Sequence, residues 1–291
     1  MRIVKMKGGL GNQMFQYAFA KLVQQETGEE VKMDFSSFDA LGRDRIRTPR
    51  ILKFRLSLEK ATDDEIRKIC KFDHTGNPFS KSYKVKLLAE IMCNRRYYFE
   101  RNRAYREPGK ILDHQYFDGY WQSWRYVDQV WPIVQKEFVP NASLHLETEK
   151  QIEMIKQQNS VFVGIRRGDY TEESSHYGCF QQEYYDRTMK YMETHVENPV
   201  FYIFSNDIEW VKSNMNFEGR RVVYREKEDI IDDFDEFLLM SACQYSICVN
   251  SSYHWWAARM NDDEKKIVIV PEKWFFDDRP IDIVPEHWIR M

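Results

Sequence analysis

Two arginines stand side by side after an apolar run in Val163-Gly-Ile-Arg-Arg-Gly-Asp-Tyr170. A guanidinium is a planar donor fork that stays charged and matches phosphate oxygens two at a time, so Arg166 and Arg167 suit a diphosphate. Asp169 is placed to hold one of them in register, and a plain Arg–Asp pair at a strand end is the competing reading. A second candidate is Gly9-Leu-Gly-Asn-Gln-Met14, two glycines of a G-x-G-x-x-G turn whose backbone N–H groups approach a diphosphate at a helix N-terminus. Met14 takes the place of the third glycine, which counts against a nicotinamide site. Asn12 and Gln13, polar amides in the first turn, count against a mere connector. Asp34 closes the next strand, about 20 residues on, where such a site holds ribose hydroxyls.

Tyr202-Ile-Phe-Ser-Asn-Asp207 and Val249-Asn-Ser-Ser-Tyr-His-Trp-Trp256 repeat the order strand, polar residues, helix. Asn206 or Asp207 suits a nucleotide's base or sugar, with helix capping as the alternative. Asn250, Ser251 and Ser252 add hydroxyls to free helix N–H groups, a phosphate cradle, and three in a row exceed what a cap needs. Tyr116-Phe-Asp-Gly-Tyr-Trp-Gln122 mixes aromatics with hydrogen-bonding groups. Tyr120, Trp121 and Gln122 thus suit a sugar, although core packing takes the larger share of such aromatics. Metal and Ser-hydrolase chemistry find little support. Asp233-Phe-Asp235 lies among seven acids between Glu226 and Glu236 and reads as the acidic start of an amphipathic helix. The seven histidines are scattered, with no H-E-x-x-H and no G-x-S-x-G.

The elements that must position these residues alternate. A strand at 2–6, a helix over 14–26 and a strand at 31–35 form a β-α-β unit. Helical spacing over 63–72, 84–94 and 126–138, with an extended 116–122, follows less legibly. After a loop at 140–143 come a helix over 146–158, a buried strand at 160–165, and alternating helices and strands through 270. The expected class is α/β, with an N-terminal unit over 1–145 and a C-terminal Rossmann-like unit over 146–291.

With 291 residues, 43% apolar and 31% charged, the chain is neither collagen-like, nor a disulfide scaffold, nor grossly disordered. A net charge of −3 gives no general reason to bind nucleic acid. The halves differ, however: residues 1–150 carry 27 basic against 20 acidic side chains, and residues 151–291 carry 16 against 26. A basic first half suits an anionic membrane surface or a lipid-linked acceptor, while the acidic 226–236 stretch is expected to face solvent. Five cysteines without a C-x-x-C, no apolar run near 18 residues and no signal-peptide h-region point to reduced thiols and a cytoplasmic protein.

In order, Gly8-Gly-Leu-Gly-Asn-Gln-Met-Phe-Gln-Tyr17, Gly119-Tyr-Trp-Gln-Ser123, Ile165-Arg-Arg-Gly-Asp-Tyr170, Phe204-Ser-Asn-Asp207 and Asn250-Ser-Ser252 resemble the bacterial α-1,2-fucosyltransferases of glycosyltransferase family 11. The resemblance spans nearly the whole chain and includes Trp274-Phe275. It implies a GT-B-like architecture of two Rossmann-type domains facing a cleft, and inverting, metal-independent transfer of L-fucose from GDP-fucose to the 2-hydroxyl of a terminal galactose. The donor would lie mainly on 146–291 and the acceptor on 1–145. By similarity, Arg166 would meet the diphosphate with Arg167 and Asp169 supporting it. Asn206 or Asp207 would face guanine or ribose, Asn250, Ser251 and Ser252 the phosphates, and Gly9, Gly11, Asn12 and Gln13 the cleft from the other domain. Two residues depart from the family pattern: Gly164 stands where a His is usual, and His254 where Ser is more common. The base that takes the acceptor proton stays open among Asp169, Glu172, Glu173 and Asp118. Competing readings are a transferase of another nucleotide deoxysugar, a nicotinamide oxidoreductase and a non-catalytic glycan-binding protein.

Overall fold

The computed structural model describes residues 1–39, 48–71, 80–167, 181–226, 232–261, 266–275 and 280–291. The chain divides into two compact units, 1–142 with 280–283 and 143–279 with 284–291. The return of 280–283 to the first unit has no signal in the sequence. Asp282 fastens it there, accepting from the Ser123 hydroxyl at 3.2 Å and pairing with Arg125 at 3.1 Å.

The first unit opens with β1 (Arg2–Lys5), α1 (Leu10–Thr27) and β2 (Val31–Asp34), the parallel β-α-β unit expected. Helix α1 begins four residues earlier than its apolar spacing suggests, so Gly11, Asn12 and Gln13 are helical rather than part of a turn. The turn itself is Lys7–Gly9, where Gly8 takes φ +81°, a region that side chains disfavour. The helix ends at Gly28, left-handed at φ 65°, whose N–H closes on the Gln24 carbonyl. Its apolar length is buried: Phe19 stacks on Trp121 at 3.8 Å and 4°, a pair worth about 0.5–1.5 kcal/mol beyond its area.

A short helix α2 (Ser36–Asp39), β3 (Glu59–Lys60), α3 (Asp63–Ile69), α4 (Lys81–Cys93), β4 (Tyr97–Phe99), β5 (Tyr116–Asp118) and α5 (Trp124–Glu137) complete this unit. Thr62 and Glu65 form a capping box that starts α3. The sheet order is β3-β2-β1-β5-β4, every pair parallel. The order reverses direction between β1 and β5, the place where open parallel sheets leave a crevice at their C-terminal edge. Strands β3 and β4 are too short for a period-2 pattern, and β4 hides in the basic run 95–106.

The second unit holds α6 (Leu146–Lys156), β6 (Ser160–Ile165), α7 (Gln182–His195), β7 (Val200–Ser205), α8 (Ile208–Asn214), β8 (Val222–Tyr224), α9 (Asp233–Ala242), β9 (Tyr245–Ile247), α10 (Ser252–Met260), β10 (Val268–Val270) and β11 (Ile289–Arg290). Its sheet order, β11-β10-β9-β6-β7-β8, is parallel throughout. Counted within the unit, that is the Rossmann sequence 3-2-1-4-5-6, with the reversal between β6 and β9. Every residue of β6 is buried, as a central strand covered on both faces requires. Its Val161, Val163 and Ile165 pack with Ile203, Met189 and Val211 in one core cluster. Both units are thus α/β and Rossmann-type.

Candidate functional site

Three of the sequence candidates converge at the C-terminal edge of the second sheet, because β9, β6 and β7 are neighbours there. Ile165 lies opposite Ser205, and just beyond that pair the Arg167 backbone N–H donates to the Asn206 side chain at 2.9 Å. The Arg167 guanidinium lies on the Trp210 ring, 3.3 Å from its centroid, with the Asp207 carboxylate 4.0 Å away. Asp207 also caps α8 by accepting from the Trp210 N–H, so capping, the simpler expectation, is part of its work. Gly168 to Phe180 lie outside the described residues, and with them Asp169, Glu172 and Glu173.

On the other side of β6, Asn250 is buried and donates to the Trp274 carbonyl at 2.7 Å, which explains an amide at that position without a ligand. Ser251 occupies the N-cap of α10, yet its hydroxyl makes no capping bond. Its carbonyl accepts the Trp255 N–H at 2.9 Å, while the helix's first N–H groups and Ser252 follow. An N-terminus with a hydroxyl not engaged in capping, beside the end of the strand that carries two guanidiniums, can hold an anion.

Two side chains that no sequence motif singles out complete this edge. Glu236 is pushed above the ordinary carboxylate range by burial, while Tyr253 and Arg166 pull it back. Tyr253 donates to the Asp233 carbonyl and reaches Glu236 at 3.4 Å. The acidic stretch therefore does not simply face solvent: Asp235 is buried against Thr148 at 3.2 Å, and Glu236 lies within the field of Arg166. Asp232 caps α9 from the Phe234 and Asp235 N–H groups, so the Asp233-Phe-Asp235 pattern is a helix start, as read from the sequence. The signal for Glu236 is an acid one position before the buried Phe237, but the seven acids between 226 and 236 mask it.

In the first unit the matching edge is filled from within. Gln16, wholly buried, accepts the Lys7 N–H at 2.9 Å and donates to the Gly119 carbonyl at 3.2 Å, stitching the end of β1 to that of β5. Gln122 donates to Asn12 at 2.7 Å. Gln13 donates to the Gly8 and Thr48 carbonyls at 2.9 and 3.1 Å and accepts from the Ile51 N–H at 3.0 Å, so its amide shapes a loop. Gly9 starts α1 and Gly11 is buried in its first turn. Asp34 is wholly buried, taking the Tyr116 hydroxyl and the Ser36 N–H, which rules out the ribose role given to it by spacing.

Asp118 accepts from Lys5 at 3.2 Å, from Lys7, and from the Tyr97 hydroxyl at 2.7 Å. Burial, the largest single influence, pushes the Lys5 ammonium down, yet Asp118, Tyr83 and Asp34 together outweigh it, and its pKa stands above the usual lysine value. A carboxylate held by two ammonium groups and a phenol is a poor proton acceptor, which removes Asp118 from the candidate bases. Trp121, at φ 56°, is core rather than a face offered to a sugar. Tyr120 is the half-buried aromatic here, with Lys7 4.8 Å and Arg103 5.4 Å from its ring centroid. Glu100 carries this loop by accepting the Tyr120 N–H at 2.6 Å and the Trp121 N–H at 3.2 Å. Burial raises its pKa against those two N–H groups, Lys7 and Arg103. Nothing in the sequence singles out Glu100 or Gln16 beyond a polar residue in an apolar context.

No group of three or more His, Cys, Asp or Glu side chains at metal-holding distance occurs among the described residues, and no described helix is long and apolar enough to cross a membrane. Cys70, Cys93, Cys243 and Cys248 are in no disulfide, and burial pushes Cys243 up to about 12.

Among curated proteins the chain is 28% identical over 304 residues to an alpha-1,2-colitosyltransferase of Escherichia coli, covering 99% of this chain and 98% of that one. It is 27% identical to the O-antigen biosynthesis glycosyltransferase WbnK of Escherichia coli, covering 98% and 99%. It is 25% identical to galactoside alpha-(1,2)-fucosyltransferase 2 of Rattus norvegicus, covering 86% of this chain and 64% of that one. A solved structure of FUT1 from Arabidopsis thaliana in complex with GDP covers 98% of this chain and 74% of its own, at 14% identity and a TM-score of 0.48. The family model for glycosyl transferase family 11 matches residues 1–291, so the chain belongs to that family and is a glycosyltransferase.

Proposed function

We propose that this glycosyltransferase moves L-fucose from GDP-fucose to the 2-hydroxyl of a terminal galactose on a glycan, with inversion and without a metal. The observation that carries the reading is the meeting of Arg166 and Arg167, Asn206 and Asp207, and Ser251 and Ser252 at the C-terminal edge of one Rossmann-ordered sheet. The names of relatives in which an alpha-1,2 or alpha-(1,2) linkage recurs support the bond formed, and the galactoside in one of them supports the acceptor.

In this reading the bond between the sugar's C1 and the diphosphate oxygen breaks as C1 acquires oxocarbenium character. The acceptor oxygen bonds to C1 from the opposite face and gives its proton to a carboxylate, and GDP leaves with the electron pair. The barrier falls when the charge growing on the diphosphate is met by fixed donors. Arg166 and the N-terminus of α10 supply them, with Arg167 and Asp169 in support. Asn206 or Asp207 meets guanine or ribose, and Asn250 braces the loop from the Trp274 carbonyl. The first unit takes the acceptor, with Tyr120 as its aromatic face and Gln122 beside it, while Gly9, Gly11, Asn12 and Gln13, read from the sequence as donor-side residues, form the start of α1, where Asn12 accepts from Gln122. The base is one of Asp169, Glu172 or Glu173.

Titration with GDP, UDP and dTDP, followed by GDP-fucose with a panel of galactose-terminated acceptors and NMR assignment of the product linkage, tests this. Preference for another nucleotide, or a linkage other than to the 2-hydroxyl, overturns it. The relative named for colitosyl transfer favours, as the second reading, another nucleotide deoxysugar as donor; faster turnover of such a donor than of GDP-fucose would establish it.

The protein is cytoplasmic and peripheral to a membrane in this reading, and helix α4 supports the second part. Val85, Leu88 and Met92 are 66, 57 and 75% exposed, at the i, i+3, i+7 spacing of one helical stripe. Lys81, Lys84, Lys86, Arg95 and Arg96 are exposed around it, while the helix's acid, Glu90, is turned inward onto the Lys71 N–H. Each such cation is worth about 1 kcal/mol near an anionic lipid surface. Sedimentation with anionic but not zwitterionic vesicles, lost in Leu88→Glu, is the expected result; equal binding to both kinds, or to neither, contradicts it.

A further inference from the structure

Residues 162, 164 and 166 of β6 and its extension share one face, because side chains alternate along a strand. His254 of α10 lies on that face. Its ring meets Phe162 edge to face, with centroids 5.9 Å apart at 64°. A Cβ built on Gly164 would stand 2.3 Å from both Cε1 and Nδ1 of the imidazole and 3.0 Å from Nε2. Not even an alanine fits at 164 while His254 keeps its place. The ring is buried, and Nδ1 has no hydrogen-bond partner among the described residues, a state that native interiors seldom leave unexplained. Burial, and after it the nearby Arg166, hold the imidazole down at about 3, so it is neutral beside that guanidinium.

Gly164 and His254 therefore occupy one space: the strand leaves out a side chain where the helix delivers an imidazole. We propose that His254 is a positioning residue of the donor site, that it seats Arg166 at the strand end, and that Gly164 is there to admit it. The inference rests on the reading that Arg166 binds the donor diphosphate. It makes this pair a determinant of how the nucleotide sugar is held.

The test is a cycle of four proteins: wild type, Gly164→His, His254→Ser, and the two changes together. Gly164→His places two imidazoles in one space, and GDP affinity is expected to fall about tenfold or more, while the double variant returns to within about threefold of wild type. His254→Ser alone is expected to raise the donor KM by about threefold or more, with a smaller change in kcat and none in the acceptor KM. Where Gly164→His does not fold, recovery of folding and GDP binding in the double variant supports the proposal equally. Additive losses in the double variant, or a His254→Ser protein with unchanged GDP affinity and donor KM, overturn the proposal. Melting temperatures of the four proteins read the pair without any ligand, and additivity there also overturns it. A wild type that binds no GDP but shows coupled melting temperatures refutes the donor reading, and with it the positioning role, while the steric pair stands.

Discussion

At the C-terminal edge of the first sheet, Lys5 and Lys7 close on Asp118, Gln16 ties β1 to β5, and Asn12 and Gln122 bond to each other. At the same edge of the second sheet, Arg167 is spread on Trp210 with its carboxylate 4.0 Å off, Ser251 leaves its hydroxyl out of the cap, and His254 buries an orphan nitrogen beside Arg166. Both sheets reverse strand order at this edge, so both have the crevice geometry. The polar groups differ in what they were placed for. Those of the first sheet are mostly engaged with one another, Gln122 Oε1 being an exception, which makes a wall tied from within. Those of the second are held in place by stacking and backbone bonds that leave donor capacity for an anion.

The contrast predicts that damage at the first edge costs stability and damage at the second costs turnover. Asp118→Asn strips the partner from two ammonium groups, of which Lys5 is buried, and should destabilise by about 3–5 kcal/mol. Denaturant unfolding measures it, and lost turnover at unchanged stability would move Asp118 into the chemistry and break the comparison. Arg166→Ala should lower kcat about 10²–10³-fold with a nearly unchanged melting temperature; full activity would remove the second edge from the mechanism.

A smaller effect follows from His254. Its folded pKa, about 3, lies below the usual imidazole value, so between the two values the unfolded chain binds the extra proton. Stability is then untouched above about pH 6.5 and falls by up to about 1.4 kcal/mol per pH unit toward pH 3. Unfolding of His254→Ser at pH 7 and pH 4.5 should show a shallower loss than wild type, and an equal slope would mean the ring is not buried neutral. Smallest is Asn206→Ala, which removes the acceptor of the Arg167 N–H; a loss of about 0.5–1.5 kcal/mol should appear in donor binding more than in acceptor binding.

Much of the fold is legible in the chain because it is local. The spacing predicts helices over 84–94, 126–138 and 146–158, and the structure has them at Lys81–Cys93, Trp124–Glu137 and Leu146–Lys156. The apolar run 160–165 is β6 to the residue, since a strand buried on both faces needs no pattern but continuity. Less legible are β3, β4 and β11, of two or three residues, whose existence depends on a neighbour offering a free edge. The aromatic run 116–122 reads mainly as core with a share left for a sugar, and which ring goes where is not legible: at Trp121 a positive φ accompanies a ring packed in the core against Phe19. Likewise Asp34 sits at the spacing of a ribose ligand, and only the Tyr116 hydroxyl opposite shows that its carboxylate is taken.

By itself the sequence determines what depends on residues close in the chain. It places arginines after β6 and polar side chains after β7 and β9, because strand ends and helix starts are written in local apolar period, turn residues and caps. Tertiary structure decides what these groups meet. The adjacency of β9, β6 and β7 brings three loops to one edge, and the packing of α10 on β6 puts two residues 90 positions apart, Gly164 and His254, into a single space. The physical reason is that hydrogen bonds and packing act over a few ångströms in space, and no local pattern records which distant segment will occupy that distance.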